Sequence, residues 1–263
     1  MGNLPKANKN LGQHFLTDKS IIEAITSDYS SDADCIFEVG PGPAVLTRYL
    51  GSLNKPLYLF EMDQRFEDLL QASNPIDIIW GDALKQNWKE FCQHRNLHTK
   101  KNWMVSNLPY NVSAPLLISF IRSGAFEFMT LMFQKEVGIK SLLREDVKMS
   151  SLTALCNTYF ETKLLKNVLP GAFSPPPKVN SIVISYRKIT SPVISLCEFS
   201  QFENFLKTVF GQKRKQLRKV LADSYGSDTA MEVLNKTELK PQIRAEVLTL
   251  KQVQNLYLNF KSL

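Results

Sequence analysis

The sequence predicts an α/β protein, with an open, doubly wound sheet followed by a small all-helical C-terminal domain. Three observations carry this. Short apolar runs of strand length alternate with helix-length segments through the first 190 residues. A glycine-rich turn directly follows the first of those runs, at Gly40-Pro41-Gly42-Pro43. Beyond Ser191-Pro192 no strand pattern remains, and every periodic stretch is helical.

In order, a polar and basic N-terminus with Lys6 and Lys9 leads through Gly12-Gln13-His14-Phe15-Leu16 to a helix over 19–28. Thr17 or Asp18 is its candidate cap. Cys35 to Val39 is an uninterrupted apolar run apart from Glu38, as expected for a strand buried on both faces. A helix over 44–50 follows. Strands over 57–60 and 76–80 come next, each followed by a helical segment, over 65–70 and 85–94. Trp103-Met104-Val105 is a fourth strand, entering Asn107-Leu108-Pro109-Tyr110, with a helix over 112–121 behind it. Residues 128–133 form a fifth strand, and 134–143 and 150–160 read as helices. Late strands over 163–168 and 181–187 flank Phe173-Ser174-Pro175-Pro176-Pro177. The tail gives helices over 199–209, 213–223, 227–235 and 249–260. The domain boundary is expected at 190/191.

Composition narrows the class. With 263 residues and 44% hydrophobic content the chain can bury a full core, and 22% charged residues exclude bulk disorder. A formal charge of +7 favours a polyanionic partner. Cys35, Cys92, Cys156 and Cys197 are scattered without a CxxC pair, and the three histidines complete no metal pattern, so no metal is expected. No apolar run approaches the roughly 20 residues that span a bilayer, and the N-terminus lacks a signal-peptide core. Cytoplasmic location and no membrane partner are expected.

The strand ends carry the chemistry. Open α/β sheets bind ligands at the carboxyl ends of their strands. Glu38-Val39-Gly40-Pro41-Gly42 follows a strand and opens a helix, although Val45 stands where a dinucleotide fingerprint has its third glycine. Glu61 ends the next strand, where a carboxylate can accept from both ribose hydroxyls. It also reads as a solvated strand-end residue. Asp82, before Ala83, ends the third strand and can accept from an adenine amine. Glu38, Glu61 and Asp82 make the site acidic, which suits a cationic nucleoside such as S-adenosylmethionine rather than a pyrophosphate. At the fourth strand end the Asn107 amide oxygen and a nearby backbone carbonyl can both accept from an exocyclic amine while Tyr110 stacks on its base. Direct methyl transfer to that amine needs positioning and electrostatics rather than a strong base. Phe173, held by Pro175 to Pro177, can close the second face of the base; it reads equally as a core ring beneath a rigid loop. His14 reads as a backbone-contact residue rather than a base, and Gln134-Lys135-Glu136 as a helix start.

Motifs in this order resemble the ribosomal RNA adenine N6,N6-dimethyltransferase family, and its small-subunit enzymes more than the macrolide-resistance enzymes of the large subunit. The matching stretches are LGQHFL at 11–16, FEVGPGPAVLT at 37–47, FEMD at 60–63, GDAL at 81–84, NLPYNVS at 107–113, FQKEV at 133–137 and FSPPPKVNS at 173–181. The resemblance implies a Rossmann-like class I S-adenosylmethionine-dependent methyltransferase domain over 1–190 and a helical RNA-binding domain over 191–263. It implies cofactor contacts from Gln13, His14, Leu16, Gly40, Glu61, Met62, Asp82, Ala83 and Asn107. It implies target-adenine contacts from Asn107, Leu108, Pro109, Tyr110 and Phe173. His14 stands where Asn is also common, and Pro43 where Leu is frequent.

Lys207 to Val220 holds Lys207, Lys213, Arg214, Lys215, Arg218 and Lys219 and no acid. The spacing 214, 215, 218 places cations on one helical face, away from Leu217, Val220 and Leu221. Unopposed like charges favour an anionic partner, and QKRKQLRKVL also resembles the corresponding helix of the small-subunit enzymes. The expected function is N6 dimethylation of two adjacent adenines in small-subunit ribosomal RNA during ribosome biogenesis, by a monomer acting on RNA or on the subunit. The alternatives are an rRNA-binding assembly factor with little catalysis, a DNA adenine methyltransferase, or a large-subunit rRNA adenine methyltransferase.

Overall fold

The computed structural model describes residue 5, residues 13–212 and residues 214–262. Two compact units divide the chain: Met1–Gly138 with Lys163–Lys188, and Ile139–Thr162 with Ile189–Leu263.

The first unit is built on a seven-stranded sheet. Its strands are β2 (Cys35–Val39), β3 (Leu57–Glu61), β4 (Asp77–Trp80), β5 (Asn102–Asn107), β6 (Phe128–Gln134), β7 (Phe160–Val168) and β9 (Ser181–Lys188), in the order β4-β3-β2-β5-β6-β9-β7. From β4 to β6 all pairs are parallel, whereas β9 runs antiparallel to β6. The strand order reverses between β2 and β5, the switch point where such sheets open a crevice. A two-stranded sheet, β1 (Phe15–Leu16) with β8 (Phe173–Ser174), ties the N-terminal segment to the proline-rich loop.

Both faces of the sheet are buried, which is why β2, β3, β5 and β6 read as nearly continuous apolar runs. One face packs an aromatic cluster in which Phe37 meets Phe60, Phe91 and Phe126, and Trp88 meets Phe60 and Phe120. The other packs Ile21, Ile22 and Ile25 of α1 (Lys19–Ser27) with Ile36, Leu59 and Trp103. Asp18 caps α1, accepting from the Ser20 and Ile21 amides at 2.9 and 3.2 Å. The remaining helices are α2 (Thr47–Gly51), α3 (Glu67–Gln71), α4 (Trp88–His94), α5 (Ser113–Ser123) and α6 (Lys135–Ile139). The expected helix over 134–143 is cut to α6. A Cβ on Gly138 would lie 2.8 Å from the Ile182 side chain, so the chain packs there against β9 and then turns.

The second unit contains α7 (Ser151–Tyr159), α8 (Phe199–Gly211), α9 (Leu217–Tyr225), α10 (Ser227–Lys236) and α11 (Leu250–Phe260). It takes in α7, so the units do not follow a single cut at 190/191. Seven consecutive residues, Thr153 to Tyr159, are buried in α7, and such a helix must be covered on every side. The tail supplies the cover: the Tyr159 ring lies 5.7 Å from Phe199, and Gln254 donates to Thr158 at 3.2 Å. Among the described residues no helix is long and apolar enough to cross a membrane.

The cationic run is only partly helical. α9 begins at Leu217, and Arg214 and Lys215 lie in the turn before it; Lys213 is outside the described residues. Leu217 is fully buried and its amide donates to the Ile243 carbonyl at 2.7 Å, while Gln216 is extended. That anchor sets the helix start. The cations expected on one face therefore divide, with Arg218 and Lys219 alone in the first turn. Arg214, Lys215, Arg218 and Lys219 are all exposed, and Lys215 is paired to Asp223 at 3.2 Å.

Candidate active site

The crevice at the switch point is assembled from four strand ends. After β2 the chain turns through Gly40 (φ +66°) and Gly42 (φ +52°), conformations that favour glycine. A Cβ at Gly42 would lie in ordinary contact with the Phe15 ring, 3.6 Å away, so the backbone angle and not space favours glycine there. The Gly42 amide donates to Glu61 Oε2 at 2.9 Å, and the Met62 and Asp63 amides donate to Oε1, both at 2.8 Å. Glu61 thus holds the glycine turn as well as ending β3. A carboxylate has about four lone-pair sites, so one remains on Oε2 for a ligand hydroxyl, where two hydroxyls were expected. Burial raises the Glu61 carboxyl above its usual range, partly offset by those amides.

Asp82 caps the turn after β4 and accepts from the Leu84 amide at 2.9 Å. Asp63 is held down to about 2, chiefly by Arg65, with which it pairs at 2.5 Å. Gln13 donates to the same carboxylate at 3.0 Å, fastening the N-terminal segment beside the cavity.

Asn107 closes the fourth end. The Ser106 hydroxyl donates to the Val39 carbonyl at 2.6 Å and locks β5 to β2. The Asn107 amide nitrogen donates to the His14 carbonyl at 3.0 Å. A carbonyl only accepts, so the amide orientation is fixed by chemistry, and Oδ1 is turned away and left free for a donor. The Pro109 carbonyl is taken by the Val112 amide and that of Tyr110 by the Ser113 hydroxyl. Among the described residues the Leu108 carbonyl accepts no such bond, which makes it the second free acceptor. The Tyr110 hydroxyl bonds Ser181 at 2.7 Å, fixing the ring from its far end.

Gln13, His14, Leu16, Gly40, Glu61, Met62, Asp82, Ala83, Asn107, Leu108, Pro109 and Tyr110 all line this cavity. Phe173 does not. It is 4% exposed and packs in the apolar core with Leu16, because pairing of β8 with β1 turns its side chain inward. The structure thus places the ring expected on the second face of the base in the apolar cluster, outside the cavity lining. The imidazole of His14 lies over Tyr110 instead.

Sequence reasoning gave Glu38 no contact of its own. It is 1% exposed, lines the cavity, and its Oε2 has no hydrogen-bond partner among the described residues. Burial pushes its carboxyl up to about 8, Thr47 offsets part of this, and the charge of Glu61 adds to it. A buried carboxylate left this way is costly unless it stays neutral or meets a cation. The signal was present in the sequence as a single acid inside an apolar strand.

A profile of the family described as "Ribosomal RNA adenine dimethylase" matches residues 4–261. The chain belongs to that family. This dimethylase is 32% identical over 259 residues to the ribosomal RNA small subunit methyltransferase A of Clostridium botulinum (strain Okra / Type B1), covering 95% of this chain and 93% of that one. It is 34% identical to the protein of the same name from Allorhizobium ampelinum, covering 94% and 90%. Its fold is that of the dimethyladenosine transferase from Plasmodium falciparum, with a TM-score of 0.77 at 23% identity over 95% of this chain and 98% of that one. It is also that of the 23S rRNA methyltransferase ErmE, with a TM-score of 0.71 at 20% identity over 94% and 99%. The dimethylase is an enzyme that uses S-adenosylmethionine to methylate adenine in ribosomal RNA. The cavity fits that cofactor: the unpartnered Glu38 oxygen, the free site on Glu61 and Asp82 suit a cationic nucleoside carrying hydroxyls and an amine.

Proposed function

We propose that the enzyme dimethylates the N6 amines of two adjacent adenines in small-subunit ribosomal RNA during ribosome biogenesis, working as a cytoplasmic monomer. The orientation of Asn107 carries this reading, with Oδ1 free beside a free Leu108 carbonyl. Two acceptors at one strand end hold both hydrogens of an exocyclic amine and turn its lone pair outward. S-adenosylmethionine supplies an electrophilic methyl group on a sulfonium. Glu61 and Asp82 hold the ribose and adenine of that cofactor, Gly40, Met62 and Ala83 shape its walls, and Gln13 and Leu16 close the N-terminal side. Tyr110 presents a ring to the target base, and Pro109 stiffens the turn beneath it.

The small subunit is favoured as substrate by the names of the relatives, each a ribosomal RNA small subunit methyltransferase A. Arg214, Lys215, Arg218 and Lys219 dock RNA phosphates from the turn before α9 and its first turn, and Lys213, outside the described residues, adds to them. Labelled S-adenosylmethionine incubated with undermethylated small and large subunits, followed by mass spectrometry of the RNA, tests the whole reading. Dimethyladenosine at neighbouring positions of the small-subunit RNA is expected. Label only in large-subunit RNA overturns it.

A further inference from the structure

Sheet register places Glu38 at the floor of the cavity. It stands opposite Leu59 of β3 and Val105 of β5. Side chains two positions apart on a strand share a face, so Glu61 and Asn107 lie on that same face, one step nearer the strand ends. β2 runs between β3 and β5, which puts the Glu38 carboxyl beneath the gap from Glu61 to Asn107. The residue is 1% exposed, and its Oε2 has no hydrogen-bond partner among the described residues, whereas three backbone amides hold Glu61. α2 meets the acid with the Thr47 hydroxyl, which favours the ionised form although it closes no hydrogen bond. β5 meets it with apolar Val105, and the charge that acts on it from β3 is that of Glu61. Burial and that charge together favour the protonated carboxyl, pushed up to about 8.

A buried carboxyl without partners is stable either as the neutral acid or beside a cation. An empty cavity leaves Glu38 the first state, and a cationic ligand offers the second. We propose that Glu38 reads the charge of the cofactor: Oε2 holds a proton in the empty cavity and gives it up when S-adenosylmethionine binds, so that the enzyme favours this cationic methyl donor over S-adenosylhomocysteine, the thioether that lacks the sulfonium charge. The inference rests on S-adenosylmethionine occupying this cavity. Charge balances at each stage. One proton leaves to water as one sulfonium charge enters, and one returns from water once the sulfonium has become a thioether. The returning proton removes the attraction that held the cofactor and so favours exchange of product for a fresh methyl donor.

Glu38→Gln mimics the neutral acid at every pH and tests this. Calorimetry gives the affinity of wild type relative to Glu38→Gln, a ratio in which titration of the ligand itself cancels. For S-adenosylmethionine the wild-type advantage should grow by up to about tenfold per pH unit as pH rises toward about 8, and level off above it. For S-adenosylhomocysteine the ratio should not change with pH. Wild-type protein alone gives a second reading, in two buffers of different ionisation enthalpy at neutral pH. Up to about one proton should be released with S-adenosylmethionine and none with S-adenosylhomocysteine. This count holds the proposal to account even where Glu38→Gln does not fold. A ratio independent of pH for both ligands, or equal proton release with both, overturns the proposal. Glu61→Gln separates the two levels. It should bind both ligands more weakly yet keep the pH-dependent preference, with the plateau reached at lower pH because the Glu61 charge is gone. Loss of that preference assigns the titration to Glu61 and overturns the role of Glu38. Wild-type affinity of Glu61→Gln for both ligands shows that the cofactor is held elsewhere, and the role of Glu38 fails with the cavity reading.

Discussion

The acidic cavity of the first unit and the cationic turn of the second are built on opposite principles. Glu38 and Glu61 line the cavity and are buried, and Glu61 is held by three backbone amides. Arg214, Lys215, Arg218 and Lys219 are exposed, and among the described residues Lys215 pairs with Asp223. Buried, preorganised charges act on single atoms and are screened little by salt, whereas exposed charges attract any polyanion and are screened within about 10 Å at 0.1 M salt. Removal of one group should therefore have a large, salt-insensitive effect in the cavity, and a small, salt-steep one in the turn.

Asn107→Ala should show the largest effect, a fall in single-turnover methyl transfer of about 10²- to 10³-fold at saturating RNA and cofactor, the scale for removing one preorganised polar group. Wild-type turnover would place the amine elsewhere. Glu61→Gln follows. It keeps one acceptor oxygen but removes the charge, and should weaken S-adenosylmethionine binding by about 2–3 kcal/mol, with the deficit unchanged between low and high salt. A deficit that disappears in salt would make Glu61 an exposed-type charge and erase the contrast.

Glu38 sharpens the comparison through pH. Its carboxyl stands at about 8 in the folded protein, above the ordinary 4.5. The folded state then holds a proton that the unfolded chain has released, so stability falls as pH rises from about 4.5 to about 8, by up to about 1.4 kcal/mol per pH unit. Glu38→Gln cannot titrate and should flatten that slope in denaturant unfolding of the cofactor-free protein. An unchanged slope would assign it to another group.

The smallest effect is expected in the second unit. Arg214→Gln with Arg218→Gln should lower the slope of log RNA affinity against log salt by about 0.7–0.9 for each phosphate no longer neutralised, leaving cofactor affinity intact. Equal slopes for wild type and variant would show a solvated surface.

What was legible in the sequence is what short-range pattern determines. β2 to β5 and their ends at Glu61, Asp82 and Asn107 could be read because each strand, turn and cavity-lining polar residue sits within a few positions of the next. Long-range pairing hid the rest. The inward turn of Phe173 follows from its partner Leu16, and the start of α9 from Ile243. The insertion of β9 between β6 and β7 and the cover on α7 likewise depend on distant segments. His14 looked like a backbone contact; the carbonyl role agrees, but its ring was placed over Tyr110 by Pro175, far away in the chain.

The β1–β8 pairing bears on how the protein is made. Thr17 is joined to Ala172, 155 residues later, through both its amide and its hydroxyl. The wall at Gln13 to Leu16 is held at Asp63 and Asn107, but its pairing with the proline-rich loop waits until that loop has been synthesised, on the order of ten seconds or more later at typical elongation rates. A nascent chain stopped before that loop has β2 to β6 but lacks the partner strand of β1. That pairing is therefore made late in synthesis, when one end of the unit meets the other.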